Sequence, residues 1–148
     1  MKDSTAIEQP IHSVDERTIS IFGYELIRDI LIPEILGKDT HEILYWAGKR
    51  LARKFPLEDF DALIDFFSKA SWGQLLIIKE SKNQLELELM SPRIAPRVKS
   101  KAEQYFQLEA GFLAQQIEFQ KQVATAEAFE HPIKKSNKVH FTVKWEKQ

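Results

Sequence analysis

Strict alternation of apolar and polar residues near the end of the chain constrains its fold more than any other feature. Val139, Phe141, Val143 and Trp145 alternate with polar or charged residues. This period of two is typical of a strand with one buried face. The same alternation occurs over residues 84–89, where leucine follows every polar residue. The chain is therefore expected to build a sheet from at least these two strands.

Each of these strands is predicted to pair with a neighbour in a hairpin. The run Leu75–Ile78 is apolar without a break, which predicts a strand that is covered on both faces. A turn at Ser81–Asn83 joins it to the next strand. This turn places Lys79 opposite Glu86, a favourable pair of charges across the two strands.

The second hairpin is predicted to turn at Lys135–Ser136. In that register Lys144 lies opposite Glu127, and small alanines lie opposite large side chains of the last strand. The charge pair and the match of small to large residues favour the register. It also places Glu130 on the inner face, opposite Phe141, so a β-bulge is expected there.

Three helices are predicted before the first hairpin. The first begins at Ile19, and Pro33 is expected to stop or kink it because proline removes a backbone donor. The second ends before Pro56, and the third covers about 57–70. In the first helix the spacing of the apolar residues predicts an amphipathic helix that buries them. They are Ile19, Phe22, Leu26, Ile27, Ile30 and Leu31, and the opposite face carries Glu25, Arg28 and Asp29.

A connection and a long helix are predicted between the two hairpins. The connection is the segment 91–100, which contains two prolines. The helix covers about 101–122, and its apolar stripe is wide enough for a central helix that lies on a sheet. Gly111 costs this helix about 1 kcal/mol of propensity relative to alanine. Its simplest role is to let a neighbouring element approach closely.

These elements predict an α+β fold. It has three N-terminal helices, a β-hairpin, a long helix and a second β-hairpin, with a four-stranded antiparallel sheet packed against the helices. Residues 1–18 lack periodicity and are predicted to form a flexible N-terminal arm. Residues 19–148 are predicted to form a single domain, as expected for a chain of 148 residues.

Composition excludes several classes of function. The chain has no cysteine, which rules out disulfides, a thiol nucleophile and thiolate-bound zinc. Its 21 basic and 22 acidic residues give a net charge of -1, which argues against a nucleic-acid partner. No apolar run suits a signal peptide or a membrane span. The sequence thus predicts a soluble cytoplasmic protein.

Residues suited to catalysis or to cofactor binding are sparse. The five glycines are isolated, so no phosphate-binding loop is present and no cofactor is predicted. His131 and His140 lie opposite each other in the second hairpin and could hold a metal ion if a carboxylate such as Glu127 joined them. Two surface histidines with no metal are the favoured interpretation. Glu109 lies within the stripe of the long helix and is expected to be partly exposed at its edge.

Aromatic and basic side chains suggest two kinds of binding surface. An apolar pocket between helices and sheet could be lined by Tyr45, Trp46, Trp72, Tyr105 and Phe112, although aromatic residues at this spacing are more often core. An acidic partner, a phosphate group or an anionic lipid could contact either of two basic clusters. The first is Lys49, Arg50, Arg53 and Lys54 on the second helix, and the second is Arg93, Arg97, Lys99 and Lys101. For the first cluster, a solvated helix face is the favoured interpretation.

Five segments of the chain resemble the YslB-like proteins of Gram-positive bacteria, an uncharacterised group. They are GYELIRDILIPEILG (23–37), YWAGKRLARKFPL (45–57), WG (72–73), FQLEAGF (106–112) and KVHFTVKWE (138–146). The order of elements is also similar, more distantly, to the NO-signalling/Golgi-transport ligand-binding fold. That fold includes the TRAPP vesicle-tethering subunits and the 4-vinyl reductase domain.

The close resemblance implies a cytoplasmic bacterial protein without an assigned activity. The distant one implies a homodimer built on the first two helices and an apolar cavity beside the long helix. Without cysteine the chain cannot carry the acyl group associated with TRAPP-type cavities. No residue can be matched to the histidine haem ligand of the NO sensors.

We therefore expect a non-enzymatic homodimeric module that binds a small apolar ligand or a protein partner, with a regulatory or scaffolding role. The absence of a catalytic constellation and the distant fold resemblance motivate this expectation. The alternative is a metal-dependent enzyme or metalloprotein that uses His131 and His140.

Overall fold

The order of helices and strands agrees with the order that the sequence predicts. The computed structural model describes residues 18–98, 105–133 and 135–146. The predicted N-terminal arm lies outside these residues except for Thr18, and so do Lys99 and Lys101 of the second basic cluster. Within the described ranges, no helix is long and apolar enough to cross a membrane.

The helices and strands have the following bounds. Helix α1 consists of three consecutive stretches, α-helical Ile21–Glu25, π-helical Leu26–Leu31 and α-helical Ile32–Leu36, and a 3-10 turn at Gly37–Asp39 follows it. The remaining elements are α2 (Thr40–Lys54), α3 (Phe60–Lys69), β1 (Gln74–Glu80), β2 (Gln84–Met90), α4 (Ile94–Val98), α5 (Gln107–Lys121), β3 (Ala126–Pro132) and β4 (Lys138–Trp145).

The four strands form one antiparallel sheet in the order β1-β2-β4-β3. The predicted α+β class and both predicted registers are confirmed. Lys79 pairs with Glu86 in the first hairpin, and Glu127 pairs with Lys144 in the second. The alternating leucines of β2 and the alternating apolar residues of β4 are buried on the same face, and this face forms one side of the core.

Helix α5 lies on that inner face, as its wide apolar stripe predicts. Every residue from Glu109 to Ile117 is buried, because the sheet covers one side of the helix and α2 covers the other. Gly48 of α2 and Gly111 of α5 make the close contact between the two helices. A Cβ atom at Gly111 would lie 2.0 Å from the carbonyl oxygen of Tyr45. The predicted role of Gly111 is therefore confirmed.

Strand β1 corrects the prediction of a strand covered on both faces. Only Leu75 of its apolar run is buried, whereas Leu76, Ile77 and Ile78 are all more than 40% exposed. The physical reason is that β1 lies at the edge of the sheet, with β2 as its one neighbour. A shift of register between Ile77 and Lys79 adds a bulge, and bulges of this kind are common at sheet edges.

The segment between the hairpins also differs from its prediction. Residues 94–98 form the short helix α4 within what the prolines had indicated to be a connection. Helix α5 begins at Gln107, about six residues later than the periodicity predicts. Phe106 adopts a non-helical conformation just before this start, and its backbone N–H donates to the side chain of Glu130 rather than within a helix.

Pro33 does not stop the first helix, which continues to Leu36. The preceding turn is instead π-helical over Leu26–Leu31, and the Ile32 backbone N–H donates to the Ile27 carbonyl. A proline ring clashes with the carbonyl four residues before it, which here belongs to Asp29. The wider π turn gives that carbonyl room, so the proline distorts the helix without ending it.

The orientation of α1 corrects the expectation that its apolar stripe is buried. The apolar side chains face outward, and Phe22 is 65% exposed and Ile35 69%. The buried residue of α1 is Arg28, which is only 6% exposed. The reason is an ion pair between Arg28 and Glu109 of α5, which turns the polar side of α1 toward the body of the protein.

Glu130 lies on the inner face of the sheet, as predicted, but without the expected bulge. It pairs with Phe141 in an uninterrupted register. The carboxylate is accommodated because its Oε2 accepts hydrogen bonds from the Phe106 N–H at 2.9 Å and from Gln107 Nε2 at 2.7 Å. Burial raises the pKa of Glu130 from 4.5 to about 7, and these two donors only partly offset the rise.

We expect Gly111→Ala to lower the free energy of unfolding by about 3 kcal/mol, because the new methyl group meets backbone rather than a movable side chain. Gly23→Ala is the matched control. A Cβ at Gly23 has its nearest neighbour at 3.5 Å, so the gain in helix propensity of up to about 1 kcal/mol should dominate. Urea unfolding of both variants measures the difference, and equal changes would contradict the close packing of α2 on α5.

We expect Glu130→Gln to stabilise the protein at pH 8 by about 2 kcal/mol and to have little effect at pH 5. A carboxyl whose pKa is raised by folding binds its proton more tightly in the folded state. The contribution of Glu130 to wild-type stability therefore falls as the pH rises from about 4.5 to about 7. Glu127→Gln, at an exposed position of the same strand, is the control. Urea unfolding at the two pH values tests this, and an equal effect of Glu130→Gln at both would contradict it.

Candidate functional site

The Arg28 guanidinium and the Glu109 carboxylate form a bidentate ion pair between α1 and α5. Arg28 Nη2 lies 2.7 Å from Glu109 Oε1, and Arg28 Nη1 lies 3.0 Å from Glu109 Oε2. Burial favours the neutral form of both groups, but their mutual attraction is stronger. The pKa of Glu109 is lowered and that of Arg28 is raised. Both groups are therefore charged at neutral pH.

Further residues extend this ion pair into a network that joins three helices. Arg97 of α4 lies 2.9 Å from Asp29 of α1 and 3.9 Å from Glu109. Arg97 also lies over the ring of Phe106, 5.0 Å from its centroid. On α1 itself, Arg28 Nη1 donates to the Tyr24 hydroxyl at 3.2 Å. We call Arg28, Asp29, Arg97 and Glu109 the charged network.

Most of the charged network was not expected from the sequence. Glu109 is 1% exposed, which corrects the expectation that it is partly exposed at the helix edge. The available signal was a carboxylate in the middle of an apolar stripe, together with an arginine on the polar face of a very apolar helix. A single sequence does not show that these two residues, 81 positions apart, are partners.

A cleft of about 600 Å³ lies beside the charged network, and we call it the α1–α4 cleft. Its walls come from α1, from the start of α2 and from α4, and apolar atoms make up most of their surface. Ile30 and Pro33 contribute from α1, Leu44 from α2 and Pro96 from α4. Basic side chains are also present at Arg28, Lys38, Arg93 and Arg97, and acidic ones at Glu25 and Asp29.

His41, in the first turn of α2, also lines the α1–α4 cleft. Its Nδ1 atom is buried and has no hydrogen-bond partner among the described residues. A buried polar atom without a partner is costly, and such atoms are rare in folded proteins. Neither His41, in the first turn of α2, nor Lys38, in the 3-10 turn before it, was expected from the sequence to line a site.

The five predicted pocket residues do not lie together. Trp72 and Phe112 belong to the core, where their ring centroids are 5.3 Å apart. Tyr105 lines the α1–α4 cleft. Tyr45 and Trp46 line a second, shallow cleft of about 650 Å³ near Gln107, and Trp46 is 62% exposed. The Tyr45 hydroxyl accepts a hydrogen bond from the Ala128 backbone N–H, and burial raises the pKa of this hydroxyl.

Much of the predicted basic surface is engaged within the protein. Lys49 pairs with Glu118 at 3.1 Å, and Arg53 Nε donates to the side chain of Gln115. Arg93 donates to the Ser71 carbonyl and lies over the ring of Tyr24. Arg50 and Lys54 remain exposed, in agreement with a solvated helix face.

His131 and His140 lie opposite each other on the outer face of the sheet, as their register predicts. His140 Nε2 is 3.2 Å from Glu88 Oε1. Glu127, the carboxylate suggested as a third ligand, lies opposite Lys144, as the register predicts. Across the part of the chain that the structure describes, no three histidine, aspartate or glutamate side chains lie close enough together to hold a metal ion.

Solved structures of H-NOX proteins share this fold. An Fe(II) unliganded H-NOX mutant from K. algicida matches with a TM-score of 0.58 and 12% identity, over 99% of this chain and 86% of that one. Two further solved structures each match with a TM-score of 0.54. One comes from work on heme distortion in the H-NOX family, and the other is an oxygen-binding H-NOX domain related to soluble guanylate cyclases. Their identities are 16% and 15%, and both cover 90% of this chain and 76% of theirs. At such identities the likeness shows the fold alone, and the likeness to TRAPP subunits and 4-vinyl reductase domains stays a prediction.

The described residues do not fit a haem like that of the H-NOX proteins. Haem iron needs an axial ligand, most often histidine, facing an apolar slot. The buried apolar interior contains no histidine in the described ranges. It is filled by aromatic rings, and Phe66 and Phe112 stack at 4.6 Å. His41 lies beside charged side chains in the α1–α4 cleft instead.

Two sequence comparisons identify the family. Residues 21–144 match the family described as "Protein of unknown function (DUF2507)". The "Uncharacterized protein YslB" of Bacillus subtilis (strain 168) is 45% identical over 139 residues, which cover 94% of this chain and 93% of that protein. The resemblance to YslB-like proteins is thereby confirmed, and the chain belongs to the DUF2507 family.

Proposed function

We propose that the protein is a non-enzymatic module of the cytoplasm that acts as a homodimer and binds a small ligand in the α1–α4 cleft. The outward apolar face of α1 is the observation that carries this proposal. The likeness to H-NOX proteins, one of which is described as oxygen-binding, supports the ligand-binding part. A protein partner in place of the small ligand is the alternative.

The apolar face of α1 is larger than a monomer usually exposes. It consists of Ile21, Phe22, Leu26, Ile27, Ile30, Leu31 and Ile35, all at least 43% exposed. With about 200 Å² as the full area of each side chain, these residues expose roughly 700 Å². Exposed apolar patches above a few hundred Å² mark interaction sites. This face is therefore proposed to be covered in the working protein.

A second copy of the chain is the partner that fits this face. A two-fold symmetric dimer uses the same patch on both copies, so an apolar helix face is complementary to itself. The roughly 700 Å² of each copy approaches the roughly 800 Å² that each partner contributes to a stable interface. Ile43 and Trp46, both exposed on α2, add apolar surface on the second helix of the proposed dimer.

The charges of the site support binding rather than catalysis. Acid–base catalysis needs groups whose pKa lies near the working pH and which can reach a substrate. In the charged network the pKa of Glu109 is lowered and that of Arg28 is raised, so neither group exchanges protons near neutral pH. Their role in the proposed module is to hold α1 in place.

We expect Ile27→Glu to weaken the dimer by about a hundredfold or more, because each copy would bury an unpaired carboxylate in the interface. Ile27 is 54% exposed on α1, and Ile78 on β1 is 49% exposed. Ile78→Glu is therefore a matched control on another apolar surface. Sedimentation velocity over a range of concentrations gives the dissociation constant of each variant.

Three outcomes would overturn this proposal. A wild-type protein that is monomeric at high micromolar concentration would remove the homodimer. A dimer that Ile27→Glu leaves intact and Ile78→Glu dissociates would place the interface at the β1 edge. A dimer that neither variant weakens would exclude both apolar surfaces.

We expect Glu109→Gln to lower the free energy of unfolding by about 3 kcal/mol, because it leaves the Arg28 charge buried without its partner. The double variant Arg28→Met/Glu109→Leu should recover most of this loss, since it removes both charges at similar volume. Urea unfolding measures both variants. A double variant as unstable as Glu109→Gln would show that the loss of stability does not come from the unpaired charge of Arg28.

A further inference from the structure

We infer that the α1–α4 cleft takes a small organic anion, a molecule with an apolar body and one carboxylate or similar acidic group. This inference names the ligand class of the ligand-binding role proposed above and rests on that proposal. It differs from the apolar ligand expected from the sequence, because it requires a charged end. Two properties of the cleft lead to it, namely its size and walls and its balance of charge.

The size and the walls of the cleft suit an organic molecule. Ligand pockets are commonly 300–1,000 Å³ and mostly apolar, with a few polar groups that orient the ligand, and the cleft has a volume of about 600 Å³. Ile30 and Pro33 of α1 and Leu44 of α2 offer apolar contacts, and Pro96 of α4 offers another. An inorganic ion would leave these apolar walls without a partner.

The charges around the cleft leave an excess of positive charge. Arg28 and Arg97 are paired with Glu109 and Asp29. Lys38 forms no ion pair within the described residues. Arg93 contacts a carbonyl oxygen and an aromatic ring, so its charge is not neutralised by a carboxylate.

Among the described residues of the lining, Glu25 is the one acidic side chain besides Asp29. The two unneutralised cations, Lys38 and Arg93, therefore outnumber one anion. A ligand with a negative group is therefore favoured over a neutral or cationic one.

His41 also lines the cleft. Its Nδ1 is buried away from solvent, so a ligand in the cleft does not reach this nitrogen. A metal ion is a poorer occupant, since the described residues offer no group of three ligating side chains.

The test uses decanoate as the anionic probe and decanol as its neutral counterpart, both titrated into the full chain by calorimetry at low ionic strength. We expect decanoate to bind one molecule per protomer and more tightly than decanol. Lys38→Glu should weaken decanoate binding by about tenfold, because it replaces an attractive charge by a repulsive one. Lys54→Glu, at an exposed position at the far end of α2, makes the same change of charge and should leave binding unchanged.

Several results would overturn this inference. One is no decanoate binding by the wild type up to millimolar concentration, and another is equal binding of decanoate and decanol. A third is an equal effect of Lys38→Glu and Lys54→Glu. Sedimentation velocity on the same samples separates this inference from the proposed homodimer. A dimer that does not bind decanoate overturns the ligand class alone, and a monomer that binds it overturns the homodimer alone.

Discussion

The buried pair of Arg28 and Glu109 is the interaction on which the arrangement of the N-terminal region depends. An amphipathic helix ordinarily buries its apolar stripe, and α1 does the opposite because its one buried residue is an arginine. A buried ion pair adds little to stability compared with an apolar contact of the same volume. Its effect here is on orientation, since the bidentate geometry fixes which side of α1 meets the body and which side faces outward.

The position of Glu109 depends in turn on how closely α2 and α5 approach. At Gly48 and Gly111 a Cβ atom would lie 2.2 Å and 2.0 Å from the nearest backbone carbonyl oxygen, so glycine alone permits the crossing. Helix α5 lies between α2 and the sheet. The same helix carries Glu109 toward α1 and Gln116 toward the loop after α2, where Gln116 contacts Phe55 and Leu57. Helix α5 thus contacts α1 through Glu109 and the loop after α2 through Gln116.

Local patterns in the sequence predicted the strands, their registers and the central helix, because each of these depends on neighbours that the alternation or the spacing itself specifies. Pairs such as Lys79 with Glu86 follow once a turn is placed. The orientation of α1 could not be predicted in this way, since its period is the same whichever face is buried. Which face of α1 is buried depends on its ion pair with Glu109. The exposure of β1 depends on its place at the edge of the sheet. Periodicity carries neither kind of long-range information.

A core of packed aromatic rings accounts for the poor fit of a haem, although the fold is similar to that of H-NOX proteins. The interior between the helices and the sheet is occupied by Phe66, Phe67, Trp72 and Phe112, whose rings contact one another. Aromatic packing of this kind contributes to the stability of the fold. The proposed ligand site lies at the periphery, between α1, the start of α2 and α4. The cleft and the outward apolar face both follow from the orientation of α1.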